Sequence, residues 1–267
     1  LDGLAGYTMT SPADGIPDGV DTVRYDYVNG GDTIRLYVET LPIIGQDTGD
    51  AFPDDNDDLG GSDLIGNAGD NRIYGRAGDD EIWGLQGDDQ IYGEDDNDTI
   101  HGGDQNDTLT GGNGSDTMYG DAGDDTIYME DETTAANIYD GGTDTNGDTL
   151  NASRVTGTGL DIDLENSTIS GTNDTIADFE NVIGSANADT IGGDSGNNDL
   201  NGGAGTDTIA FLNATGGVVV SLLAGTATGD GSDTFSNIEN VVGSTNNDTI
   251  AGDAGDNDLD GDTGTDT

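Results

Sequence analysis

Residues 66–128 read GNAGDNRIY GRAGDDEIW GLQGDDQIY GEDDNDTIH GGDQNDTLT GGNGSDTMY GDAGDDTIY, which are seven consecutive blocks of nine residues. Position 1 of every block is Gly, and position 4 is Gly except at Asp96 and Gln105. Position 8 is always a large apolar residue, namely Ile73, Ile82, Ile91, Ile100, Leu109, Met118 and Ile127. Position 6 is an amide or a carboxylate, namely Asn71, Asp80, Asp89, Asp98, Asp107, Asp116 and Asp125.

This nine-residue period predicts a coil built from strands and turns. Six residues rich in Gly and Asp favour a turn, and the last three form a short strand with only the middle side chain facing inward. Two blocks make one coil, so residues 18 apart stack at about 4.8 Å. The position-8 side chains then form two inner walls, one with Ile73, Ile91, Leu109 and Ile127 and the other with Ile82, Ile100 and Met118.

The same stacking brings position-6 side chains of successive coils together. The expected pairs are Asn71 with Asp89, Asp80 with Asp98, Asp89 with Asp107, Asp98 with Asp116, and Asp107 with Asp125. Stacked carboxylates repel each other, and a hard cation between them, completed by turn carbonyls, removes that repulsion. Calcium suits such a site better than magnesium, which requires tighter octahedral geometry. Asn71 is neutral, so its site should be the weakest. The alternative is a solvated turn that binds no ion.

The blocks resemble the nonapeptide GGxGxDxUx, with U a large apolar residue, of the RTX (hemolysin-type) calcium-binding repeat family. The resemblance implies an all-β fold, a right-handed parallel β-roll or β-solenoid with calcium in the turns. It also implies a bacterial protein that is secreted by the type I route and works outside the cell or at its surface. Thr267 stands at position 7 of a repeat, so we expect the sequence to be a piece of a longer protein.

A second, longer repeat lies downstream. Residues 179–185 (FENVIGS) align with residues 238–244 (IENVVGS) at an offset of 59, and both copies continue into nonapeptides. Position 6 pairs Asp189 with Asp207, and Asp248 with Asp266, so each pair is a candidate calcium site. The pairs Glu180 with Asn198 and Glu239 with Asn257 are expected to be weaker, because Glu is longer and Asn is neutral.

Longer strands precede each copy of this unit. Leu160, Ile162 and Leu164 alternate with acidic residues, which predicts a half-buried strand, whereas residues 216–223 (GGVVVSLL) predict a more buried one. Near the N-terminus, residues 21–39 predict a β-hairpin around Asn29-Gly30-Gly31. Ile34, Leu36 and Val38 are expected on one face of that hairpin.

These segments predict a division of the chain into four parts. Residues 1–56 are the hairpin segment with its connector, and residues 57–130 are the nonapeptide β-roll. Residues 131–210 are the first long unit, and residues 211–267 are a truncated second one.

The charge of the chain limits its partners. Its 267 residues include 56 acidic residues against 5 Arg and no Lys, a formal net charge of −51. Such self-repulsion opposes a compact state, so the chain is either disordered or folds by binding cations. The acidity argues against nucleic-acid partners. No apolar run is long enough to span a membrane, and the absence of Cys excludes disulfides and thiol chemistry.

Catalytic motifs are weak, and we expect no catalytic residues, no enzyme activity and no cofactor except calcium. Residues 193–196 (GDSG) imitate a serine-protease motif, but the only histidine, His101, lies in a different block. Residues 144–148 (DTNGD) resemble the start of an EF-hand loop without its Gly and Glu, and leave calcium binding open there. The aromatic residues at position 9 lie on two outer faces, Tyr74, Tyr92 and Tyr128 on one and Trp83, His101 and Tyr119 on the other. They favour cross-strand stabilisation over sugar binding.

The leading functional hypothesis is a calcium-binding structural β-roll segment of a large secreted or cell-surface bacterial protein, such as an adhesin, surface-layer or matrix component. It would fold on export when it meets millimolar calcium. Its expected partners are calcium, other copies of the chain and components of the surface or matrix. One alternative is the C-terminal calcium-binding folding and secretion domain of a secreted hydrolase. Another is a disordered acidic calcium buffer.

Overall fold

The computed structural model describes the strands Thr8–Thr10, Thr22–Asn29 and Asp32–Glu39, and then residues 63–130, 135–143 and 147–267. All regular elements in this part of the chain are β-strands. The three N-terminal strands are β1 (Thr8–Thr10), β2 (Thr22–Asn29) and β3 (Asp32–Glu39), and they form one antiparallel sheet.

The predicted N-terminal hairpin is confirmed by the pairing of β2 with β3, which closes with Asn29 opposite Asp32. Strand β1, which the sequence did not predict, pairs with β2 on its other edge. The prediction that Ile34, Leu36 and Val38 share one face concerns side chains that the structure does not describe. The predicted connector at 40–56 lies outside the described residues.

The nonapeptide array, residues 66–128, forms the parallel roll that its period predicts. Its strands, with the one before it, are β4 (Asp63–Ile65), β5 (Arg72–Ala77), β6 (Glu81–Gln86), β7 (Gln90–Asp95), β8 (Thr99–Asp104), β9 (Thr108–Asn113), β10 (Thr117–Ala122) and β11 (Thr126–Tyr128). Every second strand pairs in parallel, with Ile73 opposite Ile91 and Ile82 opposite Ile100. All seven position-8 side chains are buried, as predicted.

The strands of the array are longer than the three residues expected. Strands β5 to β10 each span six residues, because positions 2 and 3 of the following block also pair with the next coil. Arg76 lies opposite Glu94, for example. Position 2 adopts a left-handed backbone even where it is not glycine, with φ of 80° at Arg76 and 83° at Leu85. This conformation turns the chain while the pairing continues.

Two sheets continue from the array through the rest of the chain. The later strands are β12 (Ile138–Asp140), β13 (Thr149–Asn151), β14 (Asp161–Asp163), β15 (Thr168–Ser170), β16 (Thr175–Ala177), β17 (Asn181–Ile183), β18 (Thr190–Gly192), β19 (Asp199–Asn201), β20 (Thr208–Ala210), β21 (Val219–Ser221), β22 (Thr226–Thr228), β23 (Ser232–Ser236), β24 (Asn240–Val242), β25 (Thr249–Ala251) and β26 (Leu259–Asp260). One sheet has the order β26-β24-β20-β18-β14-β15-β16-β12-β10-β8-β6-β4. The other has the order β25-β21-β22-β23-β19-β17-β13-β11-β9-β7-β5.

The described residues of the two long units, 131–210 and 211–267, differ from the array in carrying antiparallel strands. Strands β14 to β16 and β21 to β23 each form an antiparallel trio inside an otherwise parallel sheet. Leu160, Ile162 and Leu164 are buried, so the predicted half-buried strand is confirmed. The more buried strand predicted over 216–223 is wrong, because Val219 is 53% exposed and the chain alternates there too.

Aromatic side chains stack on both outer faces of the array. Tyr74 and Tyr92 lie with ring centroids 5.0 Å apart. On the other face His101 lies 3.8 Å from Trp83 and 4.8 Å from Tyr119. These contacts join successive coils from outside, as the cross-strand interpretation predicted.

Candidate metal centre

The position-6 side chains stack in continuous series along the roll. In each series the Oδ1 atom of one residue accepts a hydrogen bond from the backbone N–H of the position-6 residue one coil earlier. We call such a series an aspartate column. The bonded pairs are Asn71 with Asp89 (2.6 Å), Asp80 with Asp98 (2.9 Å), Asp89 with Asp107 (2.7 Å), Asp98 with Asp116 (2.9 Å) and Asp107 with Asp125 (2.6 Å). The structure therefore brings together all five pairs predicted in the array.

These carboxylates lie deep in the turns. Six position-6 aspartates are buried, namely Asp80, Asp89, Asp98, Asp107, Asp116 and Asp125, whereas Asn71 at the column end is half-buried. The second carboxylate oxygen, Oδ2, is buried without a hydrogen-bond donor at Asp89, Asp98, Asp107 and Asp125. A buried charged oxygen without a partner is costly, so an oxygen of this kind fits a cation ligand.

The glycine at position 1 explains how these oxygens approach the backbone. A Cβ on Gly102 would lie 2.5 Å from Asp107 Oδ2 and 2.7 Å from the carbonyl oxygen of Gly120 in the next coil. No side chain other than hydrogen fits there without displacing these oxygens. Carboxylate and carbonyl oxygens are the ligands that calcium prefers, so the residues present fit the ion.

Several aspartates of the array columns have raised pKa values, because burial and neighbouring carboxylates disfavour their charged forms. Burial raises the pKa of Asp98 and Asp107 to about 7, and of Asp125 to about 8. Neighbouring carboxylates raise these pKa values further, whereas the hydrogen bonds from backbone N–H groups lower them. The pKa of Asp89 rises to about 6 for the same leading reason. A bound cation would favour the charged forms instead.

The long units contain the other two predicted pairs. Asp189 N–H donates to Asp207 Oδ1 at 2.8 Å, and Asp248 N–H donates to Asp266 Oδ1 at 3.0 Å. Asp189, Asp207 and Asp248 are buried, whereas Asp266 is exposed.

A serine satisfies the first carboxylate of each pair, a contact that the sequence analysis missed. Ser185 donates its N–H to Asp189 Oδ2 at 2.6 Å and its hydroxyl to Oδ1 at 3.0 Å. Ser244 makes the same two bonds to Asp248, at 2.7 and 2.8 Å. The signal in the sequence was a serine placed four residues before the aspartate in both copies.

The pairs that were expected to be weaker are joined differently. Asn198 Nδ2 donates to the backbone carbonyl of Glu180 at 3.0 Å, and Asn257 Nδ2 donates to that of Glu239 at 2.9 Å. Here an amide group bonds to the preceding coil at the place where the array has a carboxylate.

Three buried or half-buried acidic residues extend the columns beyond the predicted pairs. Asp148 accepts from Asp125 N–H at 2.7 Å, Asp174 from Asn137 N–H at 2.8 Å, and Asp233 from Asn198 N–H at 3.2 Å. Their spacings are not 18, so the nine-residue frame hid them. The usable signal is the triplet Asp-Thr-apolar at 148–150, 174–176 and 233–235, which repeats the positions 6 to 8 of a nonapeptide.

Ser195 and His101, the two residues of the weak catalytic motif, contact other groups in the described part of the chain. Ser195 N–H donates to Glu165, while His101 Nδ1 lies 3.1 Å from Asp121 Oδ2. Among residues 63–130, 135–143 and 147–267, no three His, Asp or Glu side chains form a cluster arranged to hold a metal. The predicted calcium sites are of another kind, with two side chains and backbone carbonyls.

Comparison with known families agrees with this geometry. The model of the RTX calcium-binding nonapeptide repeat matches residues 55–91, 65–100, 92–127, 170–209 and 228–267, which together make up more than half of the chain. The chain belongs to this family of calcium-binding repeat proteins. No curated protein matches the chain. Proteins with this repeat are typically secreted, and the repeat itself is typically structural. The part of the chain described here contains no helix able to cross a membrane.

Proposed function

We propose that the chain is a calcium-binding structural β-roll segment of a larger secreted or cell-surface bacterial protein, and that calcium drives its folding after export. The observation that carries this proposal is the set of buried Oδ2 atoms without a donor at Asp89, Asp98, Asp107 and Asp125. Leaving several charged oxygens uncompensated inside one roll opposes folding strongly. Calcium ions between the stacked carboxylates of each column would remove that cost.

The residues that would hold calcium are the position-6 side chains with turn carbonyls. In the array they are Asn71, Asp80, Asp89, Asp98, Asp107, Asp116 and Asp125, and in the long units Asp189, Asp207, Asp248 and Asp266. Bound calcium supplies positive charge between adjacent coils. Each inner carboxylate belongs to two successive pairs, so ordering one pair places a ligand of the next. Binding is therefore expected to be steep in calcium concentration.

The charge of the chain makes such binding a folding switch. Without cations, a net charge of −51 favours an expanded chain. Ions that bind only the folded coils stabilise them by RT ln(1 + [Ca²⁺]/Kd) per site. Extracellular calcium modules have Kd of about 10⁻⁴–10⁻³ M. Cytosolic calcium lies well below this range, so the chain would stay exportable inside the cell and would fold outside.

A structural role in an adhesin, surface-layer or matrix component is supported by the arrangement of the repeats. In the described residues, the two long sheets have 12 and 11 strands, most of them paired in parallel from one coil to the next. The strands of the 59-residue units extend the same two sheets as the array. Repetition of this kind suits a segment that adds length and stiffness.

A calcium titration followed by circular dichroism tests the proposal. The full chain should gain β-structure steeply as calcium rises, and excess chelator should reverse the change. Magnesium at the same concentration is the control and should be much less effective, because its octahedral geometry does not suit these columns. A chain that is equally folded in excess chelator would show that no such switch exists.

A further inference from the structure

One aspartate column does not stop where the nonapeptides end. Asp125, the last position-6 residue of the array, donates its N–H to Asp148 Oδ1 at 2.7 Å. The next apolar side chains keep the same alignment, with Ile127 opposite Leu150 on paired strands. Both pairs are 23 residues apart rather than 18. The column therefore keeps its register although five more residues than usual separate the two coils.

The surroundings of Asp148 match those of an array carboxylate. Asp148 is fully buried, and Asp125 is 1% exposed. A Cβ on Gly141 would lie 2.9 Å from Asp148 Oδ2 and would also clash with the carbonyl oxygen of Asp178 in the next coil. This is the arrangement of oxygens found around Gly102 and Asp107.

The Oδ2 atom of Asp125 gives an independent reason to place a ligand here. It is buried and accepts no hydrogen bond from the described residues. A Cβ on Gly120 would lie 2.5 Å from this atom and would also clash with the carbonyl oxygen of Gly141, one coil further on. A buried carboxylate oxygen, a second buried carboxylate and a neighbouring carbonyl make an all-oxygen set suited to calcium.

The other column at the same junction shows the contrast. There Asp116 N–H donates to Asn137 Oδ1 at 2.8 Å, and Asn137 is neutral. The Nδ2 group of Asn137 donates to the buried hydroxyl of Tyr139 at 3.0 Å, so protein groups use both ends of this amide. The carboxylate series is interrupted on that side and continues on the side of Asp148.

We propose that Asp125 and Asp148 hold a further calcium ion that lies outside the nonapeptide repeats and carries the column into the first long unit. Residues 128–169, which include Asp148, lie outside every segment matched by the family model. The inference rests on the proposed calcium-binding function and extends it to a site with a different spacing. Such an ion would join the array to the long unit by charge as well as by strand pairing.

Counting bound calcium per chain tests the site. Equilibrium dialysis of the full chain over a range of calcium concentrations should show one ion bound more weakly by Asp148→Asn, which removes the charge and keeps the Oδ1 acceptor. The matched control is Asp161→Asn, an exposed aspartate outside the columns, and it should bind as many ions as the unmodified chain. An Asp148→Asn chain that binds every ion as tightly as the unmodified chain would overturn the inference while leaving the proposed function intact. An unmodified chain that binds no calcium would overturn both.

A second measurement does not depend on the folding of a variant. Crystals of the unmodified chain grown with terbium, a calcium substitute, should show anomalous density between the side chains of Asp125 and Asp148. Density between Asp89 and Asp107 serves as the internal reference. Density at the reference without density at Asp148 would contradict the proposed site.

Discussion

The array and the long units place carboxylates in the same kind of column and satisfy them in different ways. In the array, the Oδ2 atoms of Asp98 and Asp107 are buried without a donor. In the long units, Ser185 and Ser244 donate both a backbone N–H and a hydroxyl to the carboxylate at the equivalent place. The turns have the same topology, but at Asp98 and Asp107 only Oδ1 has a protein donor, whereas at Asp189 and Asp248 both carboxylate oxygens have one.

This difference indicates two routes to a buried carboxylate in one roll. An external cation can neutralise it, or local N–H and O–H groups can bind it. We therefore expect the array to depend on calcium more strongly than the long units do. The predictions below test this contrast, from the largest expected effect to the smallest.

Acidification of the calcium-free chain should have the largest effect, because it acts on several array carboxylates at once. Asp98 and Asp107 have a pKa of about 7 in the fold and about 4 when unfolded. The folded state therefore binds more protons between these values, and its stability should rise as the pH falls through 7 and level off near about 4. Circular dichroism of the full chain in chelator, followed from pH about 8 down to about 4, measures this effect as a gain of β-structure.

The same pH series in saturating calcium supplies the control. There the sign should reverse, because protons compete with calcium for the same oxygens and release it. A calcium-free chain that becomes less stable between pH about 8 and about 5 would contradict the account of the array.

Asp98→Ala should raise the calcium midpoint of folding more than Asn71→Ala. Asp98 belongs to two successive pairs and accepts from the N–H of Asp80, and a bond to a charged acceptor is worth about 1.5–3 kcal/mol. Asn71 is neutral and lies at the end of its column, so its loss should cost about 0.5–1.5 kcal/mol. Titrations of the two variants side by side give both midpoints. Equal midpoints would argue against shared carboxylates.

Ser185→Ala should make the first long unit more dependent on calcium. The substitution removes the hydroxyl donor to Asp189, at a cost of about 1.5 kcal/mol in chelator. Calcium should recover part of this loss by taking over the carboxylate. Ser195→Ala is the matched control, because Ser195 is exposed, and its effect should stay within about 0.5 kcal/mol. Urea unfolding with and without calcium measures both, and an equal loss in the two conditions would refute the exchange of partners.

Gln105→Gly should produce the smallest effect, a gain of about 1 kcal/mol in saturating calcium. Gln105 replaces the position-4 glycine and has a φ of 84°, which is unfavourable for a residue with a Cβ. Gln90→Gly, an exposed substitution within strand β7, is the control and should lose about 0.5–1 kcal/mol. A loss of stability in Gln105→Gly would show that its side chain contributes more than its backbone costs.

The core and the aspartate columns of the array could be predicted from the sequence, because a constant period stacks residues that are 18 apart on successive coils. Ile82 over Ile100 and Asp98 over Asp116 follow from that spacing alone. The period could not show how far pairing extends along each strand, since that depends on the left-handed backbone at position 2. It also could not place Asp148, because Asp148 follows Asp125 by 23 residues rather than 18.

The long units were harder to predict for a chemical reason. Position 6 alone does not show whether a carboxylate needs a cation, because that depends on the donors that surround it. Ser185 looked like an ordinary turn residue, and only its two bonds to Asp189 show its role. The burial predicted for residues 216–223 was too high, because a run of consecutive apolar residues does not show which side chains face the core. Val219 faces outward and Val220 inward.

Hydrogen exchange of the full chain, read by region with calcium and with excess chelator, tests the central claim most directly. We expect residues 72–128 to be strongly protected in calcium and to lose most of that protection in chelator. Residues 181–251, which include both serine-bound carboxylates, should retain more protection under the same conditions. Protection of residues 72–128 that is unchanged by chelation would contradict the claim that calcium holds the array together.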